Sequence, residues 1–551
     1  MVACGPDAES VDSAGGTSGG TGGASTGATT ASDDGGASEG SGGATSDDGT
    51  TGGDPYVPPP ATGIEIVDVT ADRGIRVPVA IGGQLVGGAE RNLPLFRGRR
   101  TTIRAFYEVD PDFVPRTIYG VLTLEQTDGT TQTYEAFADA GEIEACKGQP
   151  QWDCRYGSFG GSFNFMVDGA DVRPGTYYRI ELFETKPGYE DVVSEKRPVF
   201  PPDGGTMILG VEDSYMKMRV VVVPIYHDRG PDCPDAPDLS EPWNGEEGAP
   251  SKADFFRDRL AAHNPVDEVT VQVRETVSYG GSAQESGGIL SLLQQLRAQD
   301  GADPGTYYYG VIRPCDGGPG FAGVALLGGP SKFEASQRVG WGVWYSSLSS
   351  TADTFVHEIG HEQGRRHVAC NGQEGGPDPS YPDHPEGDTE SYGIDVYGPQ
   401  WRVSKPTDHD YMTYCSSTWV SEWGYRLVIP WIEEISSWEL EDGDPWDGAV
   451  TLLHARVTAG GEAEAWLERG FWDVPALVET GHVTVEADDG DVRTIDGVVL
   501  PVTESSDVQI LAPVDPAQIR SARRVVLRAA DRAAMVPARE IAERFPLTIA
   551  P

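Results

Sequence analysis

The segment Phe355-Val356-His357-Glu358-Ile359-Gly360-His361-Glu362-Gln363-Gly364-Arg365-Arg366-His367 holds three of the chain's nine histidines within eleven residues. On a helix, residues four apart lie ~40° from each other, one turn above the other, so His357 and His361 share one face and can share one metal ion. Glu358 lies ~100° round, beside that face, where a carboxylate can serve a water molecule. Ser350 followed by Asp353 offers a capping box for the start of the helix. Were the helix to continue, His367 would stand ~15 Å along from His357 and turned away. Gly364 supplies the break, because glycine accepts the left-handed conformation that ends a helix and turns the chain back. His367 then becomes a third ligand. Three neutral imidazoles leave a fourth position open on Zn²⁺, the arrangement of a catalytic rather than a structural site.

The pattern HExxHxxGxxH in these residues resembles the metzincin clan of zinc endopeptidases. Asp410-Tyr411-Met412-Thr413-Tyr414-Cys415 begins 43 residues after His367 and is similar to the clan's Met-turn. The resemblance implies that Met412 packs beneath the metal-binding imidazoles; taken alone, Met412 reads as ordinary core filler. It implies that Tyr414 stands near the metal and donates to an oxyanion, against the plainer reading of a buried core tyrosine. It further implies one catalytic zinc ion held by His357, His361 and His367, with Glu358 as general base. Substrate would pair in extended form with an edge strand, for which Ala322 to Leu327 is the candidate. Val368 departs from what the familiar subfamilies carry after the third histidine, so the resemblance stops at the clan.

The rest of the chain sets the surroundings. Of 551 residues, 86 are Asp or Glu and 41 Lys or Arg, a formal charge of −45. Such a chain lacks the basic face that nucleic acid or an anionic leaflet requires. The longest apolar run, around Val220 to Val223, is strand-sized, so membrane contact is expected only through a lipid anchor. Residues 1–53 carry 16 Gly, 16 Ser or Thr, 8 Ala and 8 Asp or Glu, with no Lys or Arg. That stretch has too little apolar surface to offset its chain entropy and reads, to residue 60, as a disordered tether. Within it, Ala3-Cys4-Gly5 is similar to a bacterial lipoprotein cleavage site, with Cys4 as the lipidation candidate. No positive and apolar segment precedes it, so this reading needs a start upstream of Met1; otherwise Cys4 is an incidental thiol.

Six further cysteines, Cys146, Cys154, Cys233, Cys315, Cys370 and Cys415, form an even set that favours disulfides in an exported protein. Fifteen connectivities are open. Cys146–Cys154 is the most local pair, with Cys233–Cys315 and Cys370–Cys415 as the companion hypothesis. The last would tie the third ligand's loop to the Met-turn. The same local reading sets aside Cys146 or Cys154 as a zinc-capping switch.

Periodicity divides the folded part into a sandwich-like β-rich segment over 61–205, a mixed segment over 206–440 and a small β-rich segment over 441–551. In the first, Ile64 to Val69, Thr101 to Val109, Ile118 to Leu124 and Tyr177 to Phe183 read as strands. In the second, Arg219 to Ile225, Asp267 to Val277, Thr306 to Arg313, Gly323 to Leu327 and Val339 to Tyr345 read as strands. Lys252 to His263 and Ile289 to Gln299 read as helices. The fold class is therefore α/β (α+β), a mixed sheet with an active-site helix, flanked by β-rich domains. Gly448 to Val457 and Val483 to Leu500 are strands of the last segment, and Arg- and Ala-rich Gln518 to Phe545 reads as helical. His227, His263, His454 and His482 are assigned core or surface places, and His384 and His409 a polar loop. The acidic loop Asp378 to Asp388 offers Ca²⁺ ligands without the regular spacing of a known motif, which favours a solvated loop.

The expected activity is hydrolysis of protein or peptide substrates outside the cytoplasm, by a monomeric secreted or envelope-anchored zinc endopeptidase. Two alternatives stand beside it: a zinc-bearing surface adhesin with a vestigial centre, and a zinc hydrolase of a non-peptide bond.

Overall fold

Alternating apolar side chains build the first layers, in a computed structural model that describes residues 58–147, 156–189, 191–372, 376–397, 402–474, 479–502, 506–529 and 532–544. Cys4, Cys154 and nearly all of the tether lie outside the described residues. One antiparallel sheet runs in the order Gln84–Leu85, Ile75–Ile81, Ile64–Arg73, Thr101–Val109, Ser162–Val167. A second runs Val199–Phe200, Tyr177–Glu184, Ile118–Glu125, Thr131–Ala138. The two close face to face where Gly120 meets Phe163 and Phe165, an approach so tight that a Cβ there would stand 2.9 Å from the Phe163 ring. The segment is β-rich, as expected.

The tip between Ile64–Arg73 and Ile75–Ile81 does not end in solvent. Gly74 there has φ 91°, and its carbonyl accepts from the Trp419 indole at 2.7 Å. Its N–H donates to Ile394 O at 3.2 Å, and Arg76 N–H to Tyr392 O at 3.0 Å. A Cβ on Gly74 would stand 2.3 Å from Ala262 O. Apolar packing accordingly runs without a break from Ile64 and Phe163 to Phe355 and Ile432.

The central sheet has the order Glu268–Val273, Lys217–His227, Tyr307–Ile312, Val339–Val343, Gly323–Ala325; all neighbours are parallel except the last pair. Continuous apolar runs are what a sheet covered on both faces demands. Val220, Val222, Tyr307 and Tyr309 join the core under the helices Lys252–His263 and Leu348–Glu362. Ile225, Tyr308 and Ile312 face the other way, against Ile289, Leu290 and Leu293 of the helix Ser286–Gln299. The single strand expected from Asp267 to Val277 is two, Glu268–Val273 and Val277–Tyr279, both paired with Lys217–His227. Between them Arg274 turns its guanidinium to Asp300, 2.7 Å away.

The C-terminal segment forms one seven-stranded antiparallel sheet. The helix expected over Gln518 to Phe545 is mostly absent from the described residues: Ala522–Ala529 and Arg532–Pro537 are strands, flanked by the short helices Pro516–Arg520 and Ala538–Arg544. Val525, Leu527 and Ala529 alternate into the core, and that period of two outweighs the helix propensity of the arginines and alanines. Among the described residues no helix is long and apolar enough to cross a membrane.

Candidate metal centre

The helix Leu348–Glu362 carries the motif. Its start differs from the expected Ser350–Asp353 box. Ser347 is the N-cap, its side chain accepting from Ser350 N at 3.2 Å. Asp353 is drawn instead to Arg259, 2.6 Å away on another helix. At the other end the chain closes as Gly364 requires. Gly364 has φ 75°, its N–H donates to His361 O at 2.8 Å, and Arg365 N–H donates to Gly360 O at 2.9 Å. Those two bonds are the paired closure of a Schellman motif. No other residue suits the position, because a Cβ would stand 2.3 Å from the Trp431 ring.

That turn returns His367 to the helix. Ring centroids of His357 and His361 are 4.9 Å apart, His357 and His367 5.4 Å, His361 and His367 4.7 Å. One nitrogen from each lies within 4.8 Å of the others, a geometry that can hold a metal ion. His357 Nδ1 donates to Tyr411 O at 2.8 Å and His361 Nδ1 to Arg365 O at 2.6 Å. With their protons fixed there, both rings offer Nε2 lone pairs; His361 Nε2 lies 3.1 Å from His367 Nε2. Burial, then the facing imidazole of His367, pushes His357 down to about 3, and burial holds His361 well below the usual histidine range. Two imidazoles fixed by carbonyls on their far sides, with His367 Nε2 facing them, form a donor set chemically suited to a divalent cation.

Glu358 is 4% exposed and lies under the strand Gly323–Ala325. A Cβ on Gly323 would stand 2.6 Å from Glu358 Oε1, so this glycine lets the strand pass directly over the carboxylate. The strand falls within the candidate segment Ala322 to Leu327 and, among the described residues, ends the sheet and pairs only with Val339–Val343.

Met412 is fully buried, and a Cβ on Gly360 would stand 2.5 Å from its sulfur. The thioether therefore packs against the motif helix between its two histidines. Tyr414 Oη lies 3.1 Å from His367 Nε2. The Cys370–Cys415 bridge, with Cα atoms 6.1 Å apart, ties the two loops, and Cys233–Cys315 is also bonded, at 5.3 Å. Cys146 is disulfide-bonded.

Several supporting groups carry no local sequence signal. Asp410 is fully buried and organises the turn: Oδ1 accepts from Met412 N at 2.9 Å and pairs with Arg365 at 3.3 Å, and Oδ2 accepts from Ser421 N at 3.2 Å. Glu362 is buried, and among the described residues neither of its carboxylate oxygens is hydrogen-bonded. Burial pushes it well above the carboxylate range, against Arg338 and Arg297. The histidines set aside are elsewhere: His227, His263 and His454 are buried on hydrogen-bond partners, and His482 is on the surface beside Asp496. His384 packs its ring near Tyr381, while His409 sits beside Asp388 and the Cys370–Cys415 bridge. Among the described residues the acidic loop contributes to neither group with metal-binding geometry. The chain matches no protein-family model and no curated protein.

Proposed function

We propose that this chain is a zinc-dependent endopeptidase of metzincin type, with residues 206–440 as its catalytic unit and β-rich parts on either side. The observation that carries the reading is the convergence of His357, His361 and His367 beside buried Glu358, beneath a strand that ends its sheet among the described residues. Zinc held by the three imidazoles would supply a Lewis acid that polarises a carbonyl and acidifies water.

The chain's own groups do the rest. The outer edge of Gly323–Ala325 offers backbone donors and acceptors to an extended peptide, which fixes the scissile bond over the imidazoles. Glu358 takes the proton of the attacking water and returns it to the leaving amine. Tyr414 donates to the oxyanion that develops on the carbonyl. Met412 and Asp410 hold the floor and the turn on which Tyr414 is mounted. Disulfides suit an oxidising compartment, so we place the activity outside the cytoplasm.

Peptide-library cleavage by wild type, Glu358→Gln and chelator-treated protein tests the reading. Glu358→Gln is expected to keep one zinc per chain and lose ~10²–10⁴ of kcat. Equal cleavage by all three, or none by zinc-loaded wild type, would overturn it, the latter in favour of a binding protein.

A further inference from the structure

A second group of ligand atoms gathers at Cys370, three residues after the third histidine. Sulfurs of Cys370 and Cys415 and a ring nitrogen of His409 all fall within 4.8 Å of one another. The two cysteines are a disulfide here, yet their surroundings suit thiolates. Asn371 donates its side-chain amide to both sulfurs, at 3.7 Å to Cys370 and 3.4 Å to Cys415. Such donors strengthen when the acceptor is charged. Asn371 reaches them from φ 58°, a left-handed backbone that asparagine tolerates better than most residues. His409 Nδ1 is buried without a hydrogen bond among the described residues; Asp388 Oδ1 stands 3.2 Å from it, off the line of one. A carboxylate beside a metal-bound imidazole is the usual device that orients the ring.

We infer that Cys370, Cys415 and His409 form a second metal site, open only when the disulfide is reduced and selective for a thiolate-preferring ion such as Zn²⁺. A dithiol reductant gives two electrons and two protons to the S–S bond, which leaves two thiols and the oxidised reductant. Zn²⁺ then displaces both thiol protons and joins the two sulfurs through itself, with His409 as third ligand and a fourth position free. The loop after His367 and the turn at Met412 are thus cross-linked in either redox state, by a covalent bond or by an ion. This site is independent of the peptidase reading.

Cobalt separates the two centres, because only thiolates give Co²⁺ an intense near-ultraviolet charge-transfer band. The full-length protein is titrated with Co²⁺ and Zn²⁺ under anaerobic conditions, before and after dithiol treatment and removal of the reductant. Reduced wild type is expected to bind one equivalent more than oxidised protein and to show the band. His409→Ala leaves the disulfide intact in the oxidised form, and so folds; once reduced, its affinity for the added equivalent is expected to fall by at least about tenfold. Cys370→Ser, which retains the other cysteines, is expected to lose the band. An unchanged stoichiometry on reduction, or a band that survives in Cys370→Ser, would overturn the inference. So would an affinity in reduced His409→Ala equal to wild type.

Discussion

Gly364→Ala isolates the turn on which the candidate centre depends. At φ 75°, a non-glycine residue carries about 1–2 kcal/mol of left-handed strain. The new Cβ would stand 2.3 Å from Trp431 Cη2 and 2.7 Å from Cζ3, so the indole must move, an overpacking cost of about 1–3 kcal/mol. Together these predict a loss of ~2–5 kcal/mol. The turn also holds Arg365 O against His361 Nδ1 and aims His367, so metal affinity is expected to fall about 10–100-fold, as when a metal ligand loses its outer partner. Urea unfolding of metal-free protein with its disulfides intact reads the first effect, and competition with a chromophoric chelator the second. Trp431→Leu alone and together with Gly364→Ala completes a double-mutant cycle that removes the ring clash and leaves the backbone strain. Stability and affinity equal to wild type in Gly364→Ala would refute both the left-handed assignment and the role given to the turn.

Other expectations are more compact. Tyr414→Phe should lower kcat by ~10² with KM and zinc content little changed, the signature of one lost oxyanion donor; steady-state kinetics with metal analysis would show otherwise if the phenol is structural. Asp410→Ala strands buried Arg365 and should destabilise by about 3–5 kcal/mol, whereas Asp496→Ala, beside exposed His482, should stay within about 0.5 kcal/mol in the same urea assay. Burial pushes Asp72 from 3.8 to about 6, against the pull of Arg104 and Arg76. Its folded pKa exceeds the unfolded one, so folding favours its protonated form, and stability from this group falls as pH rises through that interval. At ~1.4 kcal/mol per pH unit the loss is about 3 kcal/mol. Asp72→Asn should therefore gain on wild type between about pH 4 and about pH 7, and a difference independent of pH would count against the assignment.

What was legible in the sequence was whatever one stretch of chain decides for itself. Gly364 had to turn the backbone, and the spacing of His357 and His361 needed no partner to be understood. Lys252–His263 carries its own cap at Ser251, and its bounds are those its sequence suggests. Features set by distant partners were not legible. Asp353 looks like a capping residue until Arg259, 94 positions earlier, claims it. Arg365 and Asp410 meet across 45 positions, and neither residue announces the other. The helix Glu422–Ser437 is hidden by Pro430 inside it, a residue that ordinarily argues for a break. The strands Ala522–Ala529 and Arg532–Pro537 were hidden because alanine and arginine propensities point to a helix while the burial period is two.

The seating of Gly74 bears on how the molecule comes into being. Its carbonyl meets the Trp419 indole across 345 positions. At ~5–20 residues per second, synthesis leaves the finished hairpin tip waiting roughly 20–70 s before its receptor exists. Over that interval the tip is a loose end with hydrogen-bonding groups to satisfy, and only the last helices and loops of the central body retire it. Assembly is thus timed by the arrival of Trp419, so the sandwich, although made first, is completed by residues made long after it.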